Sequence, residues 1–196
     1  MCPIAIPDWT AAGVLPPTDK KSHSTISRDR SPYRVSLIEL MQRFATSPER
    51  SQILDKFLHY RAKLHSIGLI KGFQWLNGSF MENVEFLENR SPNDLDVVTF
   101  YDLPDKVKDQ GEFYNQNSDI FQHDNIKRSF QVDGYFCQLS GIDADSLVEN
   151  ATYWYSLWSH RRTGDWKGYL QIDLAPNEDE MAKQRLDSMR GRGGAL

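Results

Sequence analysis

The chain has 196 residues, 39% of them hydrophobic and 26% charged, with a formal net charge of −4. That length and balance fit one globular domain with a buried core and exclude a disordered or fibrous chain. The acidic balance also excludes bulk coating of DNA, although a local basic patch could still hold a nucleic-acid substrate.

No apolar run approaches the roughly 18 residues that a membrane helix needs, so no membrane partner is expected. Met1-Cys2-Pro3-Ile4 leads into Pro7, Asp8 and Trp9 without the basic start and apolar stretch of a signal peptide, so a cytoplasmic location is expected. Cys2 and Cys137 have the spacing of neither a metal site nor a disulfide framework. Cys137, in an apolar segment, is expected to be a small buried filler.

Residues 1–34 are rich in Pro, Ser, Thr and charge and read as an extended arm. Its apolar residues (Ile4, Ile6, Trp9, Val14 and Leu15) should hold it against the domain, and the basic run from Lys20 to Arg34 reads as a solvated loop. Ser36 can cap a helix carrying Leu37, Leu40, Met41 and Phe44 on one stripe. Ser47-Pro48 starts a second helix, in which Ile53, Leu54, Phe57, Leu58, Arg61 and Leu64 follow helical spacing as far as Gly68. Its His59 and His65 read as surface or packing residues.

Strand chemistry follows. Phe73-Gln74-Trp75-Leu76 runs into Asn77-Gly78-Ser79-Phe80, and a polar stretch over 82–92 separates it from the strongest strand, Asp94 to Tyr101. Residues 103–128 are polar and partly helical. Ser129 to Cys137 reads as a third strand, 144–159 as an aromatic helix, Gly168 to Leu174 as a fourth strand, and 177–190 as a polar helix. The tail, 191–196, should fray. No internal repeat is visible. The expected class is α+β, with a small mixed sheet flanked by helices in one domain over residues 35–190.

The chemistry centres on Gly78-Ser79, followed after fourteen residues by Asp94-Leu95-Asp96 at the start of an apolar strand. Residues two apart on a strand share a face, so Asp94 and Asp96 point together while Leu95 and Val97 are buried behind them. Two carboxylates so close repel each other unless a cation lies between them, and hard oxygen ligands suit Mg²⁺ or Mn²⁺. Gly78 lets the backbone approach a phosphate, and the Ser79 hydroxyl can donate to it. Lys167, Arg161 and Arg162 are the candidate cations for a triphosphate. Trp154, Trp158 and Trp166 could stack on a base, with core packing the expected use of the first two.

A strand, Gly-Ser, a spacer and Asp-x-Asp together resemble the signature of the nucleotidyltransferase superfamily that includes polymerase β, CCA-adding enzymes and minimal nucleotidyltransferases. Ile6-Pro7-Asp8-Trp9, Gly13-Val14-Leu15-Pro16-Pro17, Leu76 to Phe80, Pro92 to Asp96 and Trp166-Lys167-Gly168 are similar to a little-characterised bacterial family of minimal nucleotidyltransferase-like proteins, often found near toxin–antitoxin or phage-defence genes. The fourteen-residue spacer is slightly longer than the common form.

The resemblance implies a nucleotidyltransferase-like fold and a Mg²⁺- or Mn²⁺-dependent transfer of NMP from an NTP, ATP foremost, to a hydroxyl. It implies triphosphate binding at Gly78 and Ser79, metal binding at Asp94 and Asp96, and a third carboxylate on an adjacent strand. Asp133 is favoured for that role, since Gly134 should leave open space beside it and Gln131 and Tyr135 could line a cleft. Asp173, near a strand end where aspartate commonly serves a turn, is the competitor. The acceptor is a protein or an RNA such as a tRNA end, with a cognate toxin or antitoxin as a possible partner. The rival readings are an inactive antitoxin or nucleotide-binding module and, third, a synthase joining two nucleotides.

Overall fold

The computed structural model describes residues 6–19 and 29–193. Among them, five strands form one mixed sheet in the order β1-β5-β2-β3-β4: β1 (Tyr33–Arg34), β2 (Gly72–Asn77), β3 (Leu95–Tyr101), β4 (Val132–Gln138) and β5 (Leu170–Asp173). β2 runs antiparallel to both β3 and β5, whereas β1 with β5 and β3 with β4 are parallel pairs. The helices are α1 (Leu37–Phe44), α2 (Pro48–Ser66), α3 (Val84–Glu88), α4 (Gln110–Gln116), α5 (Ser118–Phe121), α6 (His123–Phe130), α7 (Ala144–Trp158) and α8 (Asp179–Gly193). None of the described helices is long and apolar enough to cross a membrane.

Local chemistry explains the helix starts. Ser36 and Glu39 form a reciprocal capping box at α1: the Ser36 hydroxyl accepts from the Glu39 N–H, and the Glu39 carboxylate accepts from the Ser36 N–H. Ser47 caps α2, and Pro48 occupies the first helical position, where its missing N–H costs nothing.

The two faces of the sheet bury different residues. Leu95 and Val97 of β3, Val132 of β4, Leu76 of β2 and Leu170 and Ile172 of β5 face the larger core, with Phe44 of α1, Phe57 and Leu64 of α2 and Leu186 of α8. Trp75, Val98, Phe100, Cys137 and Tyr169 face the other way and pack with Trp154 and Trp158 of α7. Cys137 is thus a buried filler, as its apolar neighbours suggest.

Two fully buried arginines on α2 organise the loops around β2. Arg50 donates from Nη1 to the Phe80 carbonyl and from Nη2 to the Glu82 carbonyl, and it pairs with Glu85. Arg61, three helical turns later, binds the Gln74 side chain, the carbonyls of Asp173 and Ala175, and the Asp179 carboxylate. The residue expected only as part of an apolar stripe is therefore an electrostatic anchor.

Several boundaries differ from the sequence reading. Tyr33–Arg34, read as the end of the arm, form an edge strand because the Tyr33 and Val35 N–H groups donate to β5-side carbonyls. The rest of the arm that is described packs down: Val14 and Leu15 are buried, and the Trp9 indole donates to the Met81 carbonyl. Most of the basic Lys20–Arg34 run, with Ile4 and Cys2, lies outside the described residues. Ser129 and Phe130 belong to α6, not to the following strand; Gln131 ends that helix in a left-handed conformation (φ 49°). The polar 82–92 stretch contains α3 and a buried Glu82. α8 continues through residues 191–193, where a frayed tail is expected from the sequence.

Replacing Arg50 with Met is expected to lower stability to urea by about 3 kcal/mol, because Glu85 and two carbonyls lose their partner. A loss below about 1 kcal/mol, the value of a surface ion pair, would show that the loop does not depend on this guanidinium.

Candidate functional site

Alternation along β3 places Asp94, immediately before the strand, and Asp96 on the same side as Val98 and Phe100, the side covered by α7. The sheet register then sets their neighbours. Asp96 lies opposite Asn77 of β2 and opposite Asp133 of β4. Adjacent strands are about 4.8 Å apart, so Asp96 and Asp133 stand side by side on one face. Burial, with Asp133 and then Asp94 nearby, pushes the Asp96 carboxyl up to about 6, against the opposing pull of Lys167 and Lys127.

Gly78 ends β2 against this carboxylate. Its φ of +82° lies in a region that side-chain-bearing residues rarely adopt, and a Cβ there would stand 2.7 Å from the Asp96 carboxyl carbon. Both demands select glycine. Ser79 opens a 3-10 turn to Met81 with its side chain half-buried. Asn77 donates to the Trp158 carbonyl, tying β2 to the end of α7, while its buried Oδ1 has no hydrogen-bond partner.

α6 supplies the site's other side. Lys127 Nζ lies 2.9 Å from Asp94 and 3.2 Å from Asp133. His123, one turn earlier, hydrogen-bonds through Nε2 to the other oxygen of Asp133. Burial raises the Asp133 carboxyl, but the bonds from His123 and Lys127 outweigh it and hold the group below its ordinary value. Those same carboxylates push the Lys127 ammonium further up, so it stays charged. Tyr135, two residues along β4, packs between His123 and Trp154, and Asp133 helps push its phenol up to about 12, after the larger effect of burial.

A third group surrounds Glu82, which is buried. A turn brings Lys167 back over Ser159 (N–H to carbonyl, 2.8 Å), with Gly164 at φ +91° in its bend. Lys167 Nζ then lies 2.8 Å from one Glu82 oxygen, and Arg161 Nε donates to the other at 2.8 Å. Burial opposes ionisation of Glu82, yet these two cations hold its pKa below the ordinary range.

Of the residues singled out in the sequence, Gly78, Asp94, Asp96 and Asp133 come together, and Lys167 is close enough to act on Asp96. Arg161 and Lys167 share Glu82, and Arg162 is exposed. Trp154 and Trp158 are core residues; Trp166 is exposed, its ring beside His160. Asp173 stands at the other end of the sheet: it pairs with Phe73, four residues from Asn77 and hence about 13 Å along β2. Its carboxylate accepts from the Ala175 N–H, an aspartate turn.

Two expectations about the surroundings of Asp133 are corrected. Gly134 leaves no open space beside it, because alternation turns that position to the other face, where a Cβ would meet Ile126 and the Tyr60 hydroxyl. Gln131 is a helix cap and not a strand neighbour. Lys127, His123, Glu82 and Asn77 were not singled out. Lys127 and His123 lie in a polar helix whose approach to β4 no local pattern announces.

Whether a divalent ion suits the site depends on its donors. All three carboxylates offer hard oxygens, and Asp96 has like charges beside it without a direct cationic partner of its own. Among the described residues no three His, Cys, Asp or Glu side chains converge as a ready-made metal cage; the Asp133 oxygens are turned to His123 and Lys127. Carboxylate oxygens are the donor type that Mg²⁺ and Mn²⁺ take, and an ion there would have to displace Lys127 from Asp94 and Asp133.

Residues 7–173 match a protein family described as a family of unknown function, DUF6932. No curated protein and no solved structure gives a match.

The raised Asp96 carboxyl sets a pH dependence. Its folded value, about 6, exceeds the unfolded value near 3.9, so the proton stabilises the fold below pH ~4 and that stabilisation is lost as pH rises through ~6. In chelator, Asp96→Asn is expected to stabilise the protein at pH 7.5 by about 1–3 kcal/mol, with the gain disappearing near pH 4. Urea unfolding at both pH values checks this; a destabilised variant at pH 7.5 would mean that the ionised carboxylate supports the fold.

Proposed function

The chain belongs to the DUF6932 family, whose function is unknown, and we propose from its site that it is a nucleotidyltransferase that moves NMP from an NTP to a hydroxyl with the help of Mg²⁺ or Mn²⁺. The observation that carries this reading is the placement of Asp96 beside Asp94 and Asp133 with the Gly78 backbone against its carboxylate. A nucleotidyltransferase-like fold is part of the proposal: strand, Gly-Ser turn, Asp-x-Asp strand and a neighbouring strand with the third carboxylate.

Asp94, Asp96 and Asp133 would hold the ion, which when bound would stabilise charge on the attacking and leaving oxygens. The acceptor oxygen bonds to the α-phosphorus, the α–β bridging P–O bond breaks, and pyrophosphate leaves with the electron pair. Asp133, whose carboxylate His123 orients, either takes the acceptor proton as base or, as a ligand of the ion, leaves that proton to solvent water. Gly78 gives the phosphates room, and the Ser79 hydroxyl donates to them. Lys167 and Arg161, two cations on one carboxylate, leave a net positive charge behind the site for the triphosphate. ATP is the expected donor, and a protein side chain or an RNA end the acceptor, possible partners being a cognate toxin or antitoxin.

A second reading, an inactive nucleotide-binding or antitoxin module acting through protein contacts, draws support from Lys127, which takes up two of the three carboxylates.

Incubation with each α-labelled NTP, Mg²⁺ or Mn²⁺ and a cell lysate separates them. Label is expected on protein or RNA, falling by orders of magnitude in Asp96→Asn and Asp133→Asn and surviving in Asp173→Asn. Metal-dependent nucleotide binding without label transfer would favour the module, and activity that survives Asp133→Asn but not Asp173→Asn would reverse the assignment of the third carboxylate.

A further inference from the structure

The cations expected to meet a triphosphate are already engaged: Lys167 and Arg161 share the buried Glu82. The cation that faces the aspartates directly is Lys127, whose ammonium touches Asp94 Oδ2 and Asp133 Oδ2. We propose that Lys127 is an exchangeable cation of this site, which neutralises Asp94 and Asp133 in the metal-free protein, yields them to a divalent ion, and then binds the phosphates of the incoming nucleotide. This rests on the nucleotidyltransferase reading.

Three observations support it. First, both oxygens that Lys127 contacts belong to carboxylates that a metal would require, so ion and ammonium compete for the same donors. Second, the Lys127 side chain is 46% exposed, whereas those of Asp94 and Asp133 are 20% and 19% exposed. The ammonium sits on a flexible four-carbon stem and can move away into water while the carboxylates stay in place. Its neighbour His123 keeps one Asp133 oxygen oriented after the lysine leaves. Third, charge balance gives the lysine a destination. Three carboxylates without metal attract an ammonium; once a divalent ion is bound, the strongest uncompensated negative charge nearby is the triphosphate that arrives with it. A lysine binds phosphate as a mobile point charge, without the fixed geometry of a guanidinium.

The two halves predict opposite effects of one substitution. Lys127→Met removes a competitor for the metal and a ligand for the phosphates. In calorimetric titrations with Mn²⁺ alone, Lys127→Met should bind about three- to thirty-fold tighter than the unaltered protein, as expected for loss of two half-exposed ion pairs. In saturating Mn²⁺, the same variant should bind inorganic triphosphate about ten-fold more weakly. Lys127→Arg, which keeps the charge, should resemble the unaltered protein in the first titration and recover most of the affinity in the second. Thermal melting checks that each variant is folded, with Lys127→Gln as a replacement for a variant that is not. Unchanged or weaker Mn²⁺ binding in Lys127→Met overturns the exchange, and so does unchanged triphosphate binding. If neither protein binds Mn²⁺ at millimolar concentration, the metal-dependent reading falls with it, whereas equal binding by both removes only the role of Lys127.

Discussion

A buried guanidinium carries five N–H donors that need acceptors, and Arg50 makes four hydrogen bonds, all to the loop that follows β2. Its partners are the Phe80 and Glu82 carbonyls and the Glu85 carboxylate, all within six residues of chain. Because those residues follow Gly78-Ser79 directly, the arginine fixes the height at which the Gly-Ser turn meets Asp96. It also fixes Glu82, whose carboxylate collects Lys167 and Arg161 from a segment about eighty residues later. Trp9, whose ring lies 5.7 Å from the Arg50 guanidinium, reinforces the same loop by donating to the Met81 carbonyl. One buried cation on α2 thus links the N-terminal segment, the turn beside the aspartates and the basic turn after α7.

Charge is distributed unevenly around that framework. The two basic residues beside Glu82 are held by a carboxylate that is itself buried, so they form a fixed structural element with a small excess of positive charge. Lys127 and His123 are different, being half-exposed and reaching the aspartates from the edge of the sheet. One cation of each kind, Lys167 and Lys127, opposes the upward push on the Asp96 carboxyl, but only Lys127 has the exposure to move away. On the proposed function this division matters, since an immovable cation on Asp94 and Asp133 would exclude a divalent ion from them.

Much of this architecture was legible in the chain. Ser36 with Glu39 and Ser47 with Pro48 are local signals, and both helices begin at those residues. The shared face of Asp94 and Asp96 follows from strand periodicity, and the burial of Leu95 and Val97 agrees with it. What was not legible depends on register. No local pattern says that Asp96 lies opposite Asp133 while Asp173 lies opposite Phe73, because strand pairing brings together residues decades apart in sequence. Tyr33–Arg34 were missed because a two-residue edge strand has no period to read. Gly134 was misjudged because the neighbour of an inward residue in sequence faces the other way in a sheet. Arg61 reads from the sequence only as a member of the α2 stripe, and Arg50 carries no signal there, yet both are buried by loops whose arrival the helix itself does not encode.

The contrast between satisfied and unsatisfied polar groups gives the functional reading its physical basis. Where polarity enters the main core, it is matched: Arg61 with Gln74, Gln74 with Thr99, Arg50 with the loop carbonyls. Orphaned atoms occur elsewhere too: the Tyr169 and Thr10 hydroxyls are neutral, and those on Arg43, Asp55 and Arg161 belong to side chains that each have an ion-pair partner. Among the described carboxylates with a resolved shift, those of Asp55, Glu82, Glu85, Asp133 and Asp143 are all lowered by their partners, and Asp96 alone is raised. Beside it lie the unpartnered Asn77 oxygen and the Gly78 backbone, in a conformation and at a distance that admit no side chain. A strand cap would gain nothing from a carboxylate crowded by two others, since an asparagine in its place would avoid the repulsion and keep the shape. Local destabilisation of this kind persists where the surrounding structure imposes it, and sites built to bind something are where it concentrates. Asp94 and Asp133 share the Lys127 ammonium, but Asp96 between them has no ion-pair partner among the described residues, and a cationic ligand would relieve its carboxyl, free Lys127 and leave the scaffold of Arg50 unchanged.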